Sequence, residues 1–126
     1  MRRLAVLGAA ICLLAASARA QDAARVDPKH YKVELENNQV RVLRAHYGAH
    51  EKGVMHSHPA AVVVSLADQD VKFTLPGGKT AERHMKAGEV TWEAAATHLP
   101  ENTGDKPLDV ILVELKGGRG AAKAKK

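Results

Sequence analysis

Two histidines separated by one residue, His56 and His58, are the part of this sequence most suited to chemistry. In an extended strand, side chains two residues apart point to the same face, so this spacing aims both imidazoles into one volume. Neutral imidazole is a common ligand for Zn, Fe, Ni and Cu ions. The pair therefore predicts part of a divalent-metal site, and a third ligand must come from elsewhere in the chain.

His98 is the best candidate for the third ligand, because it follows a predicted strand and precedes a turn region at residues 100–102. Three protein ligands leave at least one position of the ion open to water or substrate. An ion held in this way can lower the pKa of a bound water or polarise a substrate oxygen. The alternative is that these histidines only line a polar cavity and meet backbone carbonyls.

Four further histidines are predicted to lie outside this site. His46 and His50 are expected at the surface or rim, because Gly48 and the surrounding alternation argue against a helix that would pair them. His84 lies in a predicted strand, and His30 is expected to be exposed to solvent. Together the histidines also permit a different hypothesis, a low-specificity metal scavenger.

The remaining side chains offer little other chemistry. There is no Gly-rich phosphate loop, nucleophile elbow or paired-carboxylate pattern, and alternation sends Ser57 to the face opposite its two neighbouring histidines. The large side chains Phe73, Met85 and Trp92 are expected in the core, with a ligand-pocket wall as the alternative. Asn102 is expected to hold a turn with its side chain.

Short alternating segments must position the histidines. They recur over residues 31–115 and are separated by turn signals such as Asn37-Asn38, Pro76-Gly77-Gly78 and Asn102-Thr103-Gly104. Such short, regularly spaced strands predict an antiparallel sandwich or barrel. After residue 20, no stretch has the sustained apolar spacing of three and four residues that a helix requires.

Residues 1–20 are predicted to be a secretory signal peptide. Arg2 and Arg3 precede an apolar run at residues 4–16, and residues 18–20 match a small-x-small cleavage pattern, so Gln21 is the expected mature N-terminus. The alternative is an uncleaved membrane anchor. We therefore expect a periplasmic or secreted protein without stable membrane insertion. The only cysteine lies in this segment, which excludes disulfides from the rest of the chain.

The positive net charge comes from the two ends of the chain. Residues 21–115 contain 11 Lys and Arg against 14 Asp and Glu, a net charge of −3, so a nucleic-acid partner is not expected. Residues 21–30 are interpreted as a flexible leader, residues 31–115 as the folded domain and residues 116–126 as a disordered basic tail.

Two motifs resemble those of the cupin superfamily of small β-barrels. The first is Gly53-x-x-His56-x-His58, and the second is Gly88 followed by His98-x-x-x-Asn102. The resemblance covers most of residues 31–115. It implies an all-β, antiparallel jelly-roll barrel that holds one divalent transition metal (Zn, Fe, Mn, Ni or Cu) through His56, His58 and His98. Val62 stands where cupins usually carry a glutamate, so the implied site has three histidines and no fourth ligand there.

The resemblance also bears on function. It implies that a small polar molecule reaches the metal. If the protein is an enzyme, the resemblance implies oxygen-dependent or isomerase-type chemistry. The alternatives are a non-catalytic module that binds a metal or small ligand, and a metal-free scaffold. Barrels of this family often pair through an edge strand, so the resemblance also permits the hypothesis of a homodimer that forms through residues 32–36.

Overall fold

The computed structural model describes residues 21–117, which form a sandwich of two antiparallel β-sheets preceded by one helical turn. The predicted signal peptide and residues 118–126 of the predicted tail lie outside the described residues. The elements are α1 (Ala23–Val26), β1 (Tyr31–Glu36), β2 (Val40–Tyr47), β3 (His56–His58), β4 (Ala61–Ser65), β5 (Gln69–Thr74), β6 (Thr80–Met85), β7 (Val90–Glu93), β8 (Ala96–Asn102) and β9 (Leu108–Leu115).

The strand order agrees with the predicted jelly roll but not with a closed barrel. One sheet has the order β1-β2-β9-β4-β7 and the other has the order β3-β8-β5-β6. No strand pairing joins the two sheets among the described residues, so β1 and β7 are edges of the first sheet and β3 and β6 are edges of the second. The expected all-β class is therefore correct, and the architecture is a sandwich with two open sides.

The core lies between the sheets. On β9, Leu108, Val110 and Leu112 are buried while the residues between them are partly exposed. Leu43 and Ala45 of β2 are buried on the same side. This period of two is expected when one face of an antiparallel sheet packs on a core and the other meets solvent.

Residues 21–30 differ from the flexible leader expected from the sequence. Helix α1 packs at the side of the sandwich between edge strands β1 and β3, where Ala23 is fully buried. His30 is also buried, contrary to its expected exposure. Its Nδ1 lies 2.8 Å from Asp27 Oδ1 and its Nε2 lies 2.7 Å from Glu51 Oε2, so two carboxylates hold the ring in place.

Residues 56–65 form two strands and not one continuous strand. Strand β3 ends at His58 and β4 begins at Ala61, and the two strands belong to different sheets. Pro59 lies at the break, where its missing N–H group removes no hydrogen bond from either sheet. This change of sheet separates the two histidines from the Val-rich strand that follows them.

Trp92 is 60% exposed, so its expected place in the core is wrong. It lies opposite Val62 on edge strand β7, and both side chains are on the outer face of the five-stranded sheet. Met85 is buried and Phe73 is partly buried, as expected. Within residues 21–117, no helix has the length and apolar composition needed to cross a bilayer.

Candidate metal centre

Strand β3 presents two imidazoles to the interior, as the alternation predicts. His56 and His58 are buried, with 4.6 Å between their ring centroids. Ser57 points to the other face, where its Oγ lies 2.7 Å from Thr97 Oγ1. The local strand geometry alone therefore brings the first two histidines together.

The register of the neighbouring strand adds the third histidine. Strand β8 pairs with β3 so that His98 lies directly opposite His56. The ring centroid of His98 is 5.1 Å from that of His56 and 5.4 Å from that of His58. One potential ligand nitrogen from each ring lies within 4.8 Å of the others. The three imidazoles thus meet around one small space.

Hydrogen bonds fix which nitrogen of two rings faces that space. His56 donates from Nδ1 to the Val54 carbonyl over 2.7 Å, and His58 donates from Nδ1 to Glu114 Oε2 over 2.7 Å. The Nε2 atoms of both rings are buried and have no hydrogen-bond partner among the described residues. A buried polar atom without a partner is unfavourable, and a metal ion would satisfy both lone pairs. The residues present therefore fit a metal ion.

Glu114 supports His58 from the last strand. Its side chain is buried, and its Oε1 accepts a hydrogen bond from Arg41 Nε over 2.9 Å. Burial alone lowers the pKa of Arg41, but hydrogen bonds to Asp22 and Glu114 raise it well above its usual value. Arg41 therefore stays charged and compensates the buried carboxylate. The carboxylate in turn orients the His58 ring, an arrangement common around metal-binding histidines.

Sequence reasoning missed Glu114, although a signal was present. It is the one charged residue at an inward position of β9, following Leu108, Val110 and Leu112 on the buried face. A carboxylate on an otherwise apolar face needs a partner. The partner, His58, was not predictable because it lies on the opposite sheet.

The surroundings keep His56 and His98 neutral. Burial, followed by the nearby His58, lowers the pKa of His56 to about 4. Burial, followed by His56 and His58, lowers the pKa of His98 to about 3. Both rings therefore carry a lone pair at neutral pH, which is the form that binds a metal ion.

Two aromatic rings pack against the histidines. Tyr31 lies edge-on to His56, with 4.8 Å between ring centroids, and Phe73 stacks on His98 at 4.7 Å. The hydroxyl of Tyr47 donates to that of Tyr31 over 3.2 Å. Burial raises the pKa of Tyr31, so its phenol remains protonated. These rings restrict the imidazoles and keep water away from their buried sides.

A cavity of about 250 Å³ adjoins the histidines between the two sheets. His58 and His98 form part of its wall, together with both of the aromatic rings that pack on the histidines. Val62 does not contribute, because it points to the outer face; its neighbour Val63 lines the cavity instead. The position expected to carry a fourth ligand therefore supplies none.

Asn102 holds a turn, as predicted. Its side chain is buried and its Nδ2 donates to the carbonyls of Gly48 and Lys106 over 3.0 and 2.8 Å. Its Oδ1 accepts from the Gly104 N–H over 3.0 Å. Asn102 therefore ties the end of β8 to two neighbouring loops and does not face the histidines.

The other histidines do not join the centre. His46, His50 and His84 are exposed, and the last two contact Asp105 and Asp70 over 2.7 Å each. Among residues 21–117, His56, His58 and His98 are the only group of three potential ligands that lie close enough to share an ion. One defined centre fits this arrangement better than a scavenger with scattered sites.

Comparisons with solved structures place this architecture among known ones. A cupin domain from Bordetella pertussis aligns with a TM-score of 0.64 and 19% identity, covering 69% of this chain and 92% of that one. An RmlC-like cupin from Methanocaldococcus jannaschii aligns with a TM-score of 0.54 and 13% identity, covering 68% and 77%. A double-stranded β-helix protein from Klebsiella pneumoniae aligns with a TM-score of 0.53 and 19% identity, covering 81% and 89%. No family model and no curated protein matches the sequence.

Proposed function

We propose that this chain, which has the fold of the cupin superfamily, holds one divalent transition metal between His56, His58 and His98 and binds a small molecule beside it. The observation that carries the proposal is the pair of buried Nε2 atoms without partners, on rings already fixed through Nδ1. No residue between 21 and 117 satisfies these atoms, and a shared ion would.

The three ligand nitrogens limit which metal ions suit the site. Three neutral imidazoles suit Zn²⁺, Cu²⁺, Ni²⁺ and Fe²⁺, whereas Mn²⁺ prefers carboxylate and water oxygens. Glu114 does not change this preference, because both of its oxygens are hydrogen-bonded, one to His58 and one to Arg41. When bound, such an ion supplies a Lewis acid and, if it is Fe or Cu, a redox centre.

The chain's own residues position and shield this centre. The Val54 carbonyl and Glu114 each hold one imidazole, and Tyr31 and Phe73 cover the rings. Among the described residues that line the cavity, Glu93 is the only carboxylate, and it is paired with Arg83 over 2.6 Å. No side chain is therefore well suited to be a general base, which disfavours isomerase-type chemistry that needs one.

Two candidate activities remain, oxygen-dependent turnover and non-catalytic ligand binding. A shielded, histidine-bound centre next to a cavity supports either. Metal-dependent oxygen uptake, measured with an electrode during addition of candidate ligands, separates them. Uptake that disappears with chelation indicates an enzyme, whereas ligand binding without uptake indicates a binding module.

The metal proposal itself is tested by titrating Zn²⁺ into metal-free protein and measuring metal content after dialysis. We expect one ion per chain, and loss of that ion in His98→Ala. The matched control is His84→Ala, which removes an exposed histidine and should leave binding unchanged. Unchanged metal content in the double variant His56→Ala/His58→Ala would overturn this site, and an unaltered chain that retains no metal would favour a metal-free scaffold.

We also propose that the protein is exported and lies in the periplasm or outside the cell, on the basis of the pattern in residues 1–20. Mass spectrometry of protein from the periplasmic fraction should give a chain beginning at Gln21. A full-length chain found only in the cytoplasm or the membrane would contradict this proposal.

A homodimer through strand β1 is a further proposal. Strand β1 is an edge, and Val33 and Leu35 on it are 41% and 52% exposed. An apolar edge strand favours pairing with another chain. Sedimentation should give a dimer that Leu35→Lys dissociates, and a monomeric unaltered chain at micromolar concentration would contradict this proposal.

A further inference from the structure

We propose that the small molecule is a compact aromatic compound whose single strongly polar group meets the metal, and not the small polar molecule that the sequence suggested. This inference rests on the proposed metal function and specifies its ligand. The supporting observation is that the cavity wall is polar at the histidines and mainly apolar elsewhere.

The apolar wall comes from both sheets. Most of its side chains are aliphatic or aromatic, and they belong to strands from each layer of the sandwich. They include Val63 from β4, Val71 and Phe73 from β5, Met85 from β6, and Leu108, Val110 and Leu112 from β9. Such a wall favours a ligand body that loses little hydration on entry.

The polar residues in the wall already have partners. Gln69 accepts from the Asp109 N–H over 2.8 Å through Oε1 and lies 3.8 Å from Met85 Sδ through Nε2. The hydroxyl of Tyr47 donates to that of Tyr31. A ligand with several hydroxyl or amino groups would therefore bury them without partners, which is unfavourable.

The histidine end of the cavity is different. His58 contributes a buried Nε2 without a partner, and His98 lies beside it in the same wall. Apart from the Arg83–Glu93 ion pair, whose charges compensate each other, the polar atoms offered to a ligand by the described residues therefore lie at this end. An oxygen-bearing head group at that end, with an apolar body extending away from it, matches this distribution.

The size and lining favour an aromatic body. A dry apolar cavity of about 150 Å³ accommodates benzene, and this one measures about 250 Å³. There is room for one ring and a few further atoms. The ring of Phe73 and the thioether of Met85 both line the space, and both groups make favourable contacts with aromatic rings.

The same cavity has an exit on the open side of the sandwich. Strands β6 and β7 are unpaired sheet edges there, and Arg83 on β6 contacts Glu93 on β7 over 2.6 Å. Both side chains are partly exposed and line the cavity. We therefore expect a compact ring to enter beside this ion pair.

The first test uses toluene and metal-free protein, so that its result does not depend on the metal. Saturation-transfer NMR should detect toluene in the unaltered chain, and Val63→Phe should weaken the signal, because the larger side chain takes up part of the cavity. The matched control is Val62→Phe, an identical change one residue away on the outer face, which should retain the signal. Absence of toluene binding to the unaltered chain would overturn the inference.

The second test compares two metal-binding probes on Zn²⁺-loaded unaltered protein by calorimetry, so it holds even if Val63→Phe does not fold. Benzohydroxamate should bind at least tenfold more tightly than acetohydroxamate. Equal affinities would overturn the aromatic inference and leave the metal centre intact. Failure to load Zn²⁺ would overturn the metal function and, with it, the proposed metal-binding head group, even if toluene still binds.

Discussion

Glu114 Oε2 accepts a hydrogen bond from His58 Nδ1 over 2.7 Å, across 56 residues of sequence. The contact connects the last strand of one sheet with the short strand that carries two of the three histidines. It fixes the ring orientation that leaves His58 Nε2 facing the other imidazoles. A carboxylate that binds no metal itself is thus a positioning residue for the centre.

Replacement of this carboxylate should weaken metal binding with all three histidines still present. Glu114→Gln keeps the shape of the side chain but removes the negative charge that supports His58 as a metal ligand. We expect Zn²⁺ affinity, measured by competition with a chromophoric chelator, to fall about 10- to 100-fold. Glu82→Gln, an exposed change on β6, is the control. Equal affinities in Glu114→Gln and the unaltered chain would show that the contact does not support the centre.

The metal-free protein should lose stability as the pH falls from about 6.5 to 4. The folded chain holds the pKa of His56 at about 4 and that of His98 at about 3, below their ordinary 6.5. In this window the unfolded chain takes up protons that the folded chain does not, so acid favours unfolding. For each of these two histidines, the free energy of unfolding falls by at most about 1.4 kcal/mol for each pH unit of acidification in this window.

Urea unfolding at pH 7, 5.5 and 4.5 measures this loss. His98→Asn removes one of the two titrating rings, so its stability should depend less steeply on pH. His84→Asn removes an exposed histidine and should keep the original slope. The explanation fails if His98→Asn and the unaltered chain lose stability in parallel.

Gly53, in the first cupin-like motif, should not tolerate a side chain. A Cβ there would lie 2.6 Å from the Tyr47 hydroxyl oxygen and 3.1 Å from Asp27 Oδ2. Gly53→Ala should therefore lower the free energy of unfolding by about 1–3 kcal/mol, the usual range for overpacking. A Cβ at Gly117 would meet no atom of the described residues within 4 Å, so Gly117→Ala is the control. Thermal unfolding that is equal in the two variants would contradict the predicted crowding.

His30 should stabilise the fold without binding the metal. It stacks on Tyr47 with 4.0 Å between ring centroids and contacts buried Asp27 over 2.8 Å. His30→Ala leaves that carboxylate buried without its partner, which should destabilise the chain by about 3–5 kcal/mol. Zn²⁺ stoichiometry at a temperature where the variant is folded should remain one. Loss of stoichiometric binding there would place His30 in the centre.

The sequence predicted the parts of the site that depend on local geometry. Alternation alone turns His56 and His58 to one face, and the structure agrees. His98 was chosen for its position after a predicted strand and before a turn at residues 100–102, but it lies within strand β8, which runs to Asn102; its pairing opposite His56 brings it to the site. Their role as metal ligands stays a prediction, because short distances between the three rings do not by themselves show that a metal binds.

Contacts between sheets could not be predicted in the same way. Glu114 and His58 meet only because β9 and β3 belong to opposite layers, and no local pattern specifies that pairing. Trp92 was placed in the core because of its size, but edge strand β7 turns it outward. His30 was expected to be exposed because it lies in the predicted leader, whereas it is buried and held by Asp27 and Glu51.

X-ray absorption spectroscopy of the Zn²⁺-loaded protein is the most direct test of the central claim. Three imidazoles at about 2.0–2.1 Å should fit the spectrum of the unaltered chain, and His98→Ala should reduce the imidazole count or prevent loading. A spectrum that requires fewer than three imidazoles, or one that is unchanged in His98→Ala, would contradict a centre formed by these three histidines.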